Sequence, residues 1–431
     1  MKRELFKKVY VDYKPQEYPQ ETVESVKKCG VSYDKKSEVL ERASKKVVIG
    51  TRLAKQDVKD FFNCLKRCYS GYDFFLSDEK CDELEKKICR KIHSGVSGFF
   101  GKVSNRKLAW LIYDSLKDYI QDSHFEIYGG GDSYRFIKRH IAYVSDLVVK
   151  KIGDGFVVIK GNELFEAGHV FSLEEVDDYL MPTIIIEDSG DYFLLGKYTD
   201  EPVSEIMIAG KKLAVHRIRC DSAGVKDEPR LVKKDGYIIA NHKSYNLGWN
   251  RDLMQEFYEE GKICAKEKAV ILNLLGNSGG SSNYPEHFYD GLSGITGTGF
   301  EMAVLPDSEN IEGNAKSYWV EGDDTQVDES RIYNGALFVL TNKSVASSAE
   351  MAVSPAFNLK NAIILGSATS GCSSFGECIM FQLAHSGIML FCGHKVFHND
   401  KFYEGKGFIP DYWIDDENPL GVVEEYVRKM I

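Results

Sequence analysis

Two adjacent serines, Ser347 and Ser348, follow a strand-like apolar run and open a segment that can begin a helix. The run is ALFVLT at residues 336–341, and the serines lie in ASSAEM at residues 346–351. At a helix start, the unbonded N–H groups and the positive end of the dipole stabilise developing negative charge. Ser347 therefore fits a nucleophile, and the N–H of Ser348 fits an oxyanion donor.

A second candidate element is the loop Gly276-Asn277-Ser278-Gly279-Gly280, which follows the apolar run at residues 269–275. Glycines let bare backbone N–H groups approach a ligand closely, so such a loop can hold an oxyanion. Glycine turns after strands are common, however, and most serve only the turn.

The serine pair also has a purely structural interpretation. Either serine can be the N-cap of the helix, with Glu350 completing a capping box three residues after Ser347. Local sequence alone favours this cap over a nucleophile.

The spacing of apolar residues divides the chain into three parts with different predicted secondary structure. Apolar residues recur at threes and fours between residues 57 and 121, which predicts helices. Residues 143–240 carry short apolar runs separated by Gly, Asp and Asn, which predicts strands. From residue 237 onward strand-like and helical runs alternate, and IMFQLAHSGIMLF is typical of a hairpin, so the last part predicts an α/β fold.

Composition excludes several classes of partner. The chain has 431 residues, of which 43% are hydrophobic, and this predicts two or three packed units. A net charge of -10 argues against nucleic acid or an anionic membrane as the main partner. The segment MKRELFKKVYVDYKPQ is charged throughout and no later run approaches a membrane span, so we expect a cytoplasmic protein.

The ten cysteines predict neither a disulfide framework nor a strong metal site. One group of cysteines and a histidine recurs at four-residue spacing, which would place metal ligands on one helix face. The same spacing is typical of a buried stripe on a helix. We favour the buried stripe, because the spacings of zinc fingers and zinc ribbons are absent. Its members are Cys64, Cys68, Cys81, Cys89 and His93.

The order of these segments resembles the core of the tail-specific, or C-terminal processing, serine peptidases. The resemblance covers residues 236–413 and rests on the NSGG loop, the VASSAE turn, AIILGSATSG and YEGKGFIPD. It implies that Ser347, three residues before the glutamate of the turn, is the nucleophile. It also implies that Ser348 and the Gly279-Gly280 loop provide the oxyanion donors.

The general base separates two branches of that family. The common branch has a lysine after the second glycine of a GxxxxGK segment, but here Gly371 is followed by Cys372. The tricorn-core branch uses histidine, serine and glutamate, with a second serine directly before the histidine. Asp122-Ser123-His124 and the glutamate of Tyr403-Glu404-Gly405 fill those positions, so the resemblance implies His124 as base with Glu404 and Ser123 supporting it.

Other residues could compete for these roles. His398 is the main rival base, His385 and His394 lie on the predicted hairpin, and Lys406 could replace the missing lysine only from a less suitable position. The usual DLRGN strand end reads Asn273-Leu274-Leu275-Gly276-Asn277, without its acid and arginine.

We therefore expect an α/β protein with a crotonase/ClpP-like peptidase core. The predicted parts are an N-terminal extension (residues 1–56), a helical subdomain with His124 (57–135), a β-rich middle without an evident PDZ module (136–235) and the core (236–431). The expected function is serine endopeptidase, without a cofactor or metal, acting on peptides or unfolded protein. The acidic segment at residues 307–331 is more typical of a solvated loop than of a site for basic substrates.

Two other functions stay open from the sequence. One is an inactive, peptide-binding relative, which the Cys372 and Asn273 departures favour. The other is a crotonase-type acyl-coenzyme A hydrolase or hydratase, which shares a glycine-loop oxyanion hole with the peptidases.

Overall fold

The computed structural model describes residues 1–92, 101–220, 229–306 and 313–431. The chain forms two compact units that interleave along the sequence. The first unit contains Met1–Lys138, Phe300–Asp323 and Cys372–Gly405, and the second contains Arg139–Gly299, Asp324–Gly371 and Lys406–Ile431. The division into four parts that the sequence predicts stays a prediction.

Helices dominate the N-terminal part of the first unit. Thr51–Cys68 buries Val58, Phe61, Leu65 and Cys68 completely, which is the spacing of one helix face. The helices of this unit are Arg3–Phe6, Gln20–Cys29, Lys36–Ser44, Thr51–Cys68, Tyr72–Phe75, Asp78–Lys91 and Asn105–Leu116, with a π-helical turn at Lys7–Val11 and a 3₁₀ turn at Tyr33–Lys35.

The larger sheet of the first unit is built around the predicted hairpin. Phe375–Gln382 and Met389–His398 pair antiparallel, so this prediction is confirmed. The described strands run in the order Gly30–Val31, Phe375–Gln382, Met389–His398, Glu301–Val304 and Trp319–Glu321, while Asp122–Gly129 pairs with both Met389–His398 and Asp132–Phe136. Smaller pairs join Gln16–Glu17 to Ala315–Lys316 and Val48–Gly50 to Lys102–Ser104.

The second unit contains a long mixed sheet whose centre is parallel. Its described strands follow the order Leu231–Lys233, Tyr237–Asn241, Ala269–Asn273, Ala336–Thr341, Ala362–Gly366, Tyr412–Trp413, Leu180–Ile185, Asp188–Thr199, Ile141–Ile152, Gly155–Lys160 and Val170–Ser172, and His216–Arg217 pairs with Ile141–Ile152. The pairs from Tyr237–Asn241 to Tyr412–Trp413 are parallel. Their apolar side chains are largely buried, as continuous Val, Ile and Leu runs predict for such strands.

Helices of the second unit pack beside this sheet. They are Leu173–Val176, Arg251–Cys264, Asn283–Ser293, Ser348–Met351 and Pro419–Met430, with 3₁₀ turns at Asp177–Tyr179 and Ser354–Asn358. Two further strand pairs are Glu205–Ile208 with Lys211–Ala214 and Ile295–Thr296 with Gln326–Val327. The α/β prediction is confirmed, and the crotonase/ClpP-like detail stays a prediction.

The parallel strands explain how distant sequence segments meet. The strand Ala269–Asn273 leads to the Gly279-Gly280 loop, its neighbour Ala336–Thr341 leads to Ser347, and the next strand Ala362–Gly366 leads to Gly371. Because the carboxyl ends of parallel strands lie at one edge of a sheet, the three following loops are neighbours there.

The cysteines of the candidate metal cluster belong to an apolar core. Cys64, Cys68 and Cys81 are fully buried among Val58, Phe61 and other apolar side chains, which confirms the buried stripe. His93 and residues 307–312 of the acidic segment lie outside the described residues. No helix in the described ranges is both long and apolar enough to span a membrane.

Candidate functional site

Ser347 stands at a strained turn directly before the helix Ser348–Met351. Its backbone has φ 56° and ψ -130°, a conformation that residues with a Cβ rarely adopt. Such strain persists only where the surroundings enforce it, and it is typical of nucleophile turns between a strand and a helix. The conformation therefore sets Ser347 apart from an ordinary N-cap residue, which has extended backbone.

This strain gives a direct test on stability. Because glycine adopts positive φ without a Cβ penalty, Ser347→Gly is expected to unfold at higher denaturant concentration than Ser347→Ala. The expected gain is about 1 kcal/mol in the free energy of unfolding, after the larger entropy of unfolded glycine is subtracted. Urea unfolding followed by circular dichroism measures it, and a glycine variant less stable than the alanine variant would contradict the strained turn.

The glycine loop packs directly against this turn. A Cβ placed on Gly279 would lie 2.7 Å from the carbonyl oxygen of Ala346 and 2.8 Å from Cβ of Ser347. A Cβ on Gly280 would lie 2.0 Å from the carbonyl carbon of Tyr245. Both glycines also have positive φ, 100° and 139°. The two positions therefore require glycine for close backbone approach as well as for conformation.

The backbone amides proposed as oxyanion donors differ in whether they already donate a hydrogen bond within the protein. The amide of Gly279 donates to Oδ1 of Asn277 at 2.9 Å, so its role as an oxyanion donor stays a prediction that requires this bond to be shared or broken. In the described ranges the amides of Gly280 and Ser348 have no protein acceptor. The hydroxyl of Ser348 donates to the carbonyl of Gly280 at 2.7 Å, which ties the two amides together.

Glu350 connects the serine turn to the following loop. Its carboxylate accepts from the amide of Ser347 at 3.2 Å, and the predicted capping box with Ser347 as N-cap is present. It also accepts from the hydroxyl of Thr369 and the amide of Gly371, both at 2.6 Å. Glu350 is fully buried, and these charge-assisted bonds hold the turn from inside the unit. Sequence analysis assigned it the cap but missed the bonds to Thr369 and Gly371.

The first unit brings together the other predicted residues. Glu404 accepts from the amide of Ser123 at 3.0 Å, from the Ser123 hydroxyl, and from the amide of Ser374 at 2.9 Å. Ser123 and His124 lie where the pairing of Asp122–Gly129 with Asp132–Phe136 changes register, between Asp122 and Glu126. Because an irregular strand segment re-aims its side chains, this site is typical of a functional position.

Asp122 is a further carboxylate that sequence reasoning missed. It is fully buried, and it accepts from the amide of His124 at 2.7 Å and from the Tyr69 hydroxyl at 2.9 Å. Burial raises the pKa of Asp122. Burial and then the negative charge of Asp122 raise the pKa of Glu404, while the bonds from Ser123 and Ser374 oppose this shift. The feature of the sequence that could have pointed to Asp122 is its position directly before the Ser123-His124 pair.

His124 lies against the thiol of Cys372. The sulfur is 3.6 Å from Nδ1 and 3.7 Å from Nε2 of the imidazole. Cys372 is buried, and its contact with His124 was not predicted from the sequence. The predicted site residues thus form two groups: His124, Ser123 and Glu404 in the first unit, and Ser347, Ser348, Gly279 and Gly280 in the second.

The other candidate bases, three histidines and one lysine, lie in the following surroundings. His398 is 3% exposed and stacks on Phe6 with ring centroids 5.1 Å apart. His394 bonds through Nδ1 to the carbonyl of Leu305 at 2.7 Å. His385 lies beside the hairpin turn, where its amide donates to Asp57 at 3.3 Å. Lys406 belongs to the second unit with Ser347.

Comparison with known proteins finds a family match over the C-terminal part of the chain. Residues 243–414 match the model for Peptidase family S41, and no curated protein matches the chain. Similar solved structures include mature CPAF (12% identity, 88% of this chain and 96% of that chain, TM-score 0.48). A photosystem II D1 C-terminal processing protease is also similar (14% identity, 87% of this chain and 96% of that chain, TM-score 0.40). So is the tricorn protease (14% identity, 88% of this chain and 36% of that chain, TM-score 0.41). The family match confirms the resemblance that the NSGG and VASSAE segments predict: residues 243–414 of this chain are similar to the serine-type peptidases of family S41.

Proposed function

We propose that this chain is a serine endopeptidase of the tricorn-core-like branch, with Ser347 as nucleophile and His124 as general base. The observation that supports it best is the strained backbone of Ser347, φ 56° and ψ -130°, at the start of the helix Ser348–Met351. Strained backbone persists only where the surroundings enforce it, and at a strand-to-helix turn it exposes the hydroxyl of a serine nucleophile.

The proposed reaction is acyl transfer from peptide to serine and then to water. His124 takes the proton of the Ser347 hydroxyl as its oxygen attacks the peptide carbonyl, and the imidazolium then returns the proton to the leaving amine. Water then attacks the acyl ester on Ser347 in the same way, with His124 taking the proton of the water and returning it to the serine oxygen. Backbone N–H groups of Ser348 and Gly280, with Gly279 as a further candidate, receive the negative charge on the tetrahedral oxygen.

Glu404 acts on His124 through its surroundings in this proposal. Its bonds to the Ser123 amide and hydroxyl hold the residue directly before the base. The carboxylate of Asp122 accepts a hydrogen bond from the His124 amide and so holds the backbone of the base. An ionised Glu404 also stabilises the imidazolium, because opposite charges at short range favour the charged form.

Labelling by a fluorophosphonate probe tests the proposal without knowledge of the substrate. We expect intact mass to show one adduct on the wild type and on Ser344→Ala, and none on Ser347→Ala. Ser344 is the matched control because it is an exposed serine three residues before the nucleophile. No adduct on well-folded wild type would contradict an activated serine and favour the peptide-binding alternative.

The pH dependence of labelling tests the role of the buried carboxylates. The negative charge of Asp122 helps to raise the pKa of Glu404, so Glu404 loses its charge as the pH falls through that raised value. Asp122→Asn removes the repulsion and lets Glu404 ionise at lower pH. The rising limb of labelling rate against pH is therefore expected to move down by about one unit.

The asparagine change suits this test because its amide can keep both hydrogen bonds. Its oxygen can accept from the His124 amide and its NH₂ can donate to the Tyr69 hydroxyl. Near-UV circular dichroism checks that the fold is retained. A limb that stays in place or moves to higher pH would exclude this coupling.

A further inference from the structure

The backbone of Tyr245 fixes the direction in which the Gly280 N–H points. Tyr245 donates from its amide to the carbonyl of Gly279 at 3.1 Å and accepts from the amide of Ser281 at 2.9 Å, so it bonds to the residues on both sides of Gly280. A peptide group is planar, and in its trans form the C=O and N–H bonds point in opposite directions. Because the Gly279 carbonyl points at Tyr245, the Gly280 N–H in the same peptide group points away from it.

The side chain of Tyr245 is held in the interior of the second unit. Its ring is fully buried, and its hydroxyl bonds to Nδ1 of His242 at 2.8 Å. The His242 ring is also buried and packs edge to face on Phe257 and Phe288, with ring centroids 4.9 and 4.7 Å away. This hydrogen bond therefore joins the backbone that bonds the glycine loop to an aromatic core.

Glu260 determines which ring nitrogen of His242 carries the hydrogen. Oε2 of this carboxylate is 3.8 Å from Nε2, and neither atom has a hydrogen-bond partner in the described part of the chain. A carboxylate favours an N–H that faces it, so the hydrogen is assigned to Nε2 and Nδ1 accepts from the Tyr245 hydroxyl. Burial, and then the charge of Arg230, lowers the pKa of His242 to about 3, so the ring is neutral at pH 7 and Nδ1 can accept.

His242 also bonds to the glycine loop through its own backbone. Its carbonyl accepts from Nδ2 of Asn277 at 2.9 Å, and Oδ1 of the same side chain accepts from the Gly279 amide at 2.9 Å. The backbone carbonyl of Asn277 accepts from the amide of Ala346, in the serine turn, at 3.1 Å. The segment that contains His242 therefore holds the loop beside the serine turn.

We propose that Tyr245 and His242 are positioning residues that orient the Gly280 N–H toward the oxyanion. This inference rests on the proposed function, because it concerns an amide that the proposed reaction uses. Both side chains are buried, so they act through the Tyr245 backbone and not by contact with substrate. A donor stabilises the developing charge only when it is aimed at the oxygen that carries it, so loss of the bond between Tyr245 and His242 lowers the rate of acyl transfer.

Hydrogen exchange followed by mass spectrometry tests the positioning without any activity. Tyr245→Phe removes the hydroxyl and keeps the ring, and loss of one neutral hydrogen bond shifts a local opening equilibrium by about fivefold. We therefore expect the amides in peptides that cover residues 244–246 and 277–283 to exchange about fivefold faster in this variant. His242→Phe breaks the same bond from the other end and should show the same increase.

Tyr289→Phe is the matched control for the exchange measurement. The Tyr289 hydroxyl is buried as well, but it has no hydrogen-bond partner among the described residues, so its removal breaks no bond. This variant should exchange as the wild type does. Unchanged exchange of the loop in both Tyr245→Phe and His242→Phe overturns the positioning.

Fluorophosphonate labelling then tests the effect on the reaction. Tyr245→Phe is expected to lower the maximal labelling rate by about tenfold, less than the loss of a whole oxyanion donor, because the amide is displaced and not removed. The probe concentration that gives half of the maximal rate should change by less than about twofold, since the oxyanion forms only in the transition state. Because Tyr245→Phe and His242→Phe break one bond, the double variant should be about as slow as His242→Phe alone.

The outcomes separate this inference from the proposed function. Losses that multiply in the double variant, or labelling of Tyr245→Phe at the wild-type rate, overturn the link between this bond and the oxyanion. If the wild type is not labelled at all, the proposed function fails, while the exchange comparison still decides whether Tyr245 and His242 hold the loop.

Discussion

Replacing Ser347 by alanine is expected to lower kcat/KM for an unfolded protein substrate by about a thousandfold or more, because the acyl-enzyme can no longer form. Casein with its lysines blocked, followed by the release of new amino groups, is a suitable assay. Alanine keeps the Cβ and therefore the same backbone strain at φ 56°, so the loss reports on the hydroxyl rather than on the turn.

Ser348→Ala separates the nucleophile from its neighbour. This variant keeps the backbone N–H proposed as an oxyanion donor and loses the 2.7 Å bond from the hydroxyl to the Gly280 carbonyl. A neutral hydrogen bond is worth about 1 kcal/mol, so we expect less than about a tenfold loss. A larger loss in Ser348→Ala than in Ser347→Ala would move the nucleophile to Ser348 and contradict the proposal.

Local patterns were sufficient to predict the surroundings of Ser347. The strand at residues 336–341, the turn and the helix start are each specified by neighbouring residues, and all three are present. The predicted strand at residues 269–275 ends at Asn273, two residues early, because the side chain of Asn273 accepts from the amide of Leu275 and turns the backbone. Side-chain bonds of this kind compete with strand pairing.

Contacts between distant segments were beyond the sequence. Cys372 and His124 are 248 residues apart, and their contact depends on a unit assembled from three separate segments. Asp122 gave no sign that it is buried, because burial depends on Tyr69 and the surrounding core.

The assignment of the general base carries the second large effect. His124→Ala is expected to reduce the fluorophosphonate labelling rate and casein hydrolysis by about a hundredfold to ten-thousandfold, the usual contribution of a positioned base. The fold should be retained, because the 2.7 Å bond from residue 124 to Asp122 comes from the backbone amide. Thermal unfolding of the variant checks this point.

His398→Phe is the matched control for that measurement. Phenylalanine removes both ring nitrogens of the rival base but keeps an aromatic ring to stack on Phe6. Burial lowers the pKa of His398, so the native ring is already largely neutral at pH 7 and loses little charge on replacement. We expect near wild-type rates for this variant. Retained activity in His124→Ala together with a loss in His398→Phe would instead make His398 the base and leave the Ser123 and Glu404 bonds without a catalytic purpose.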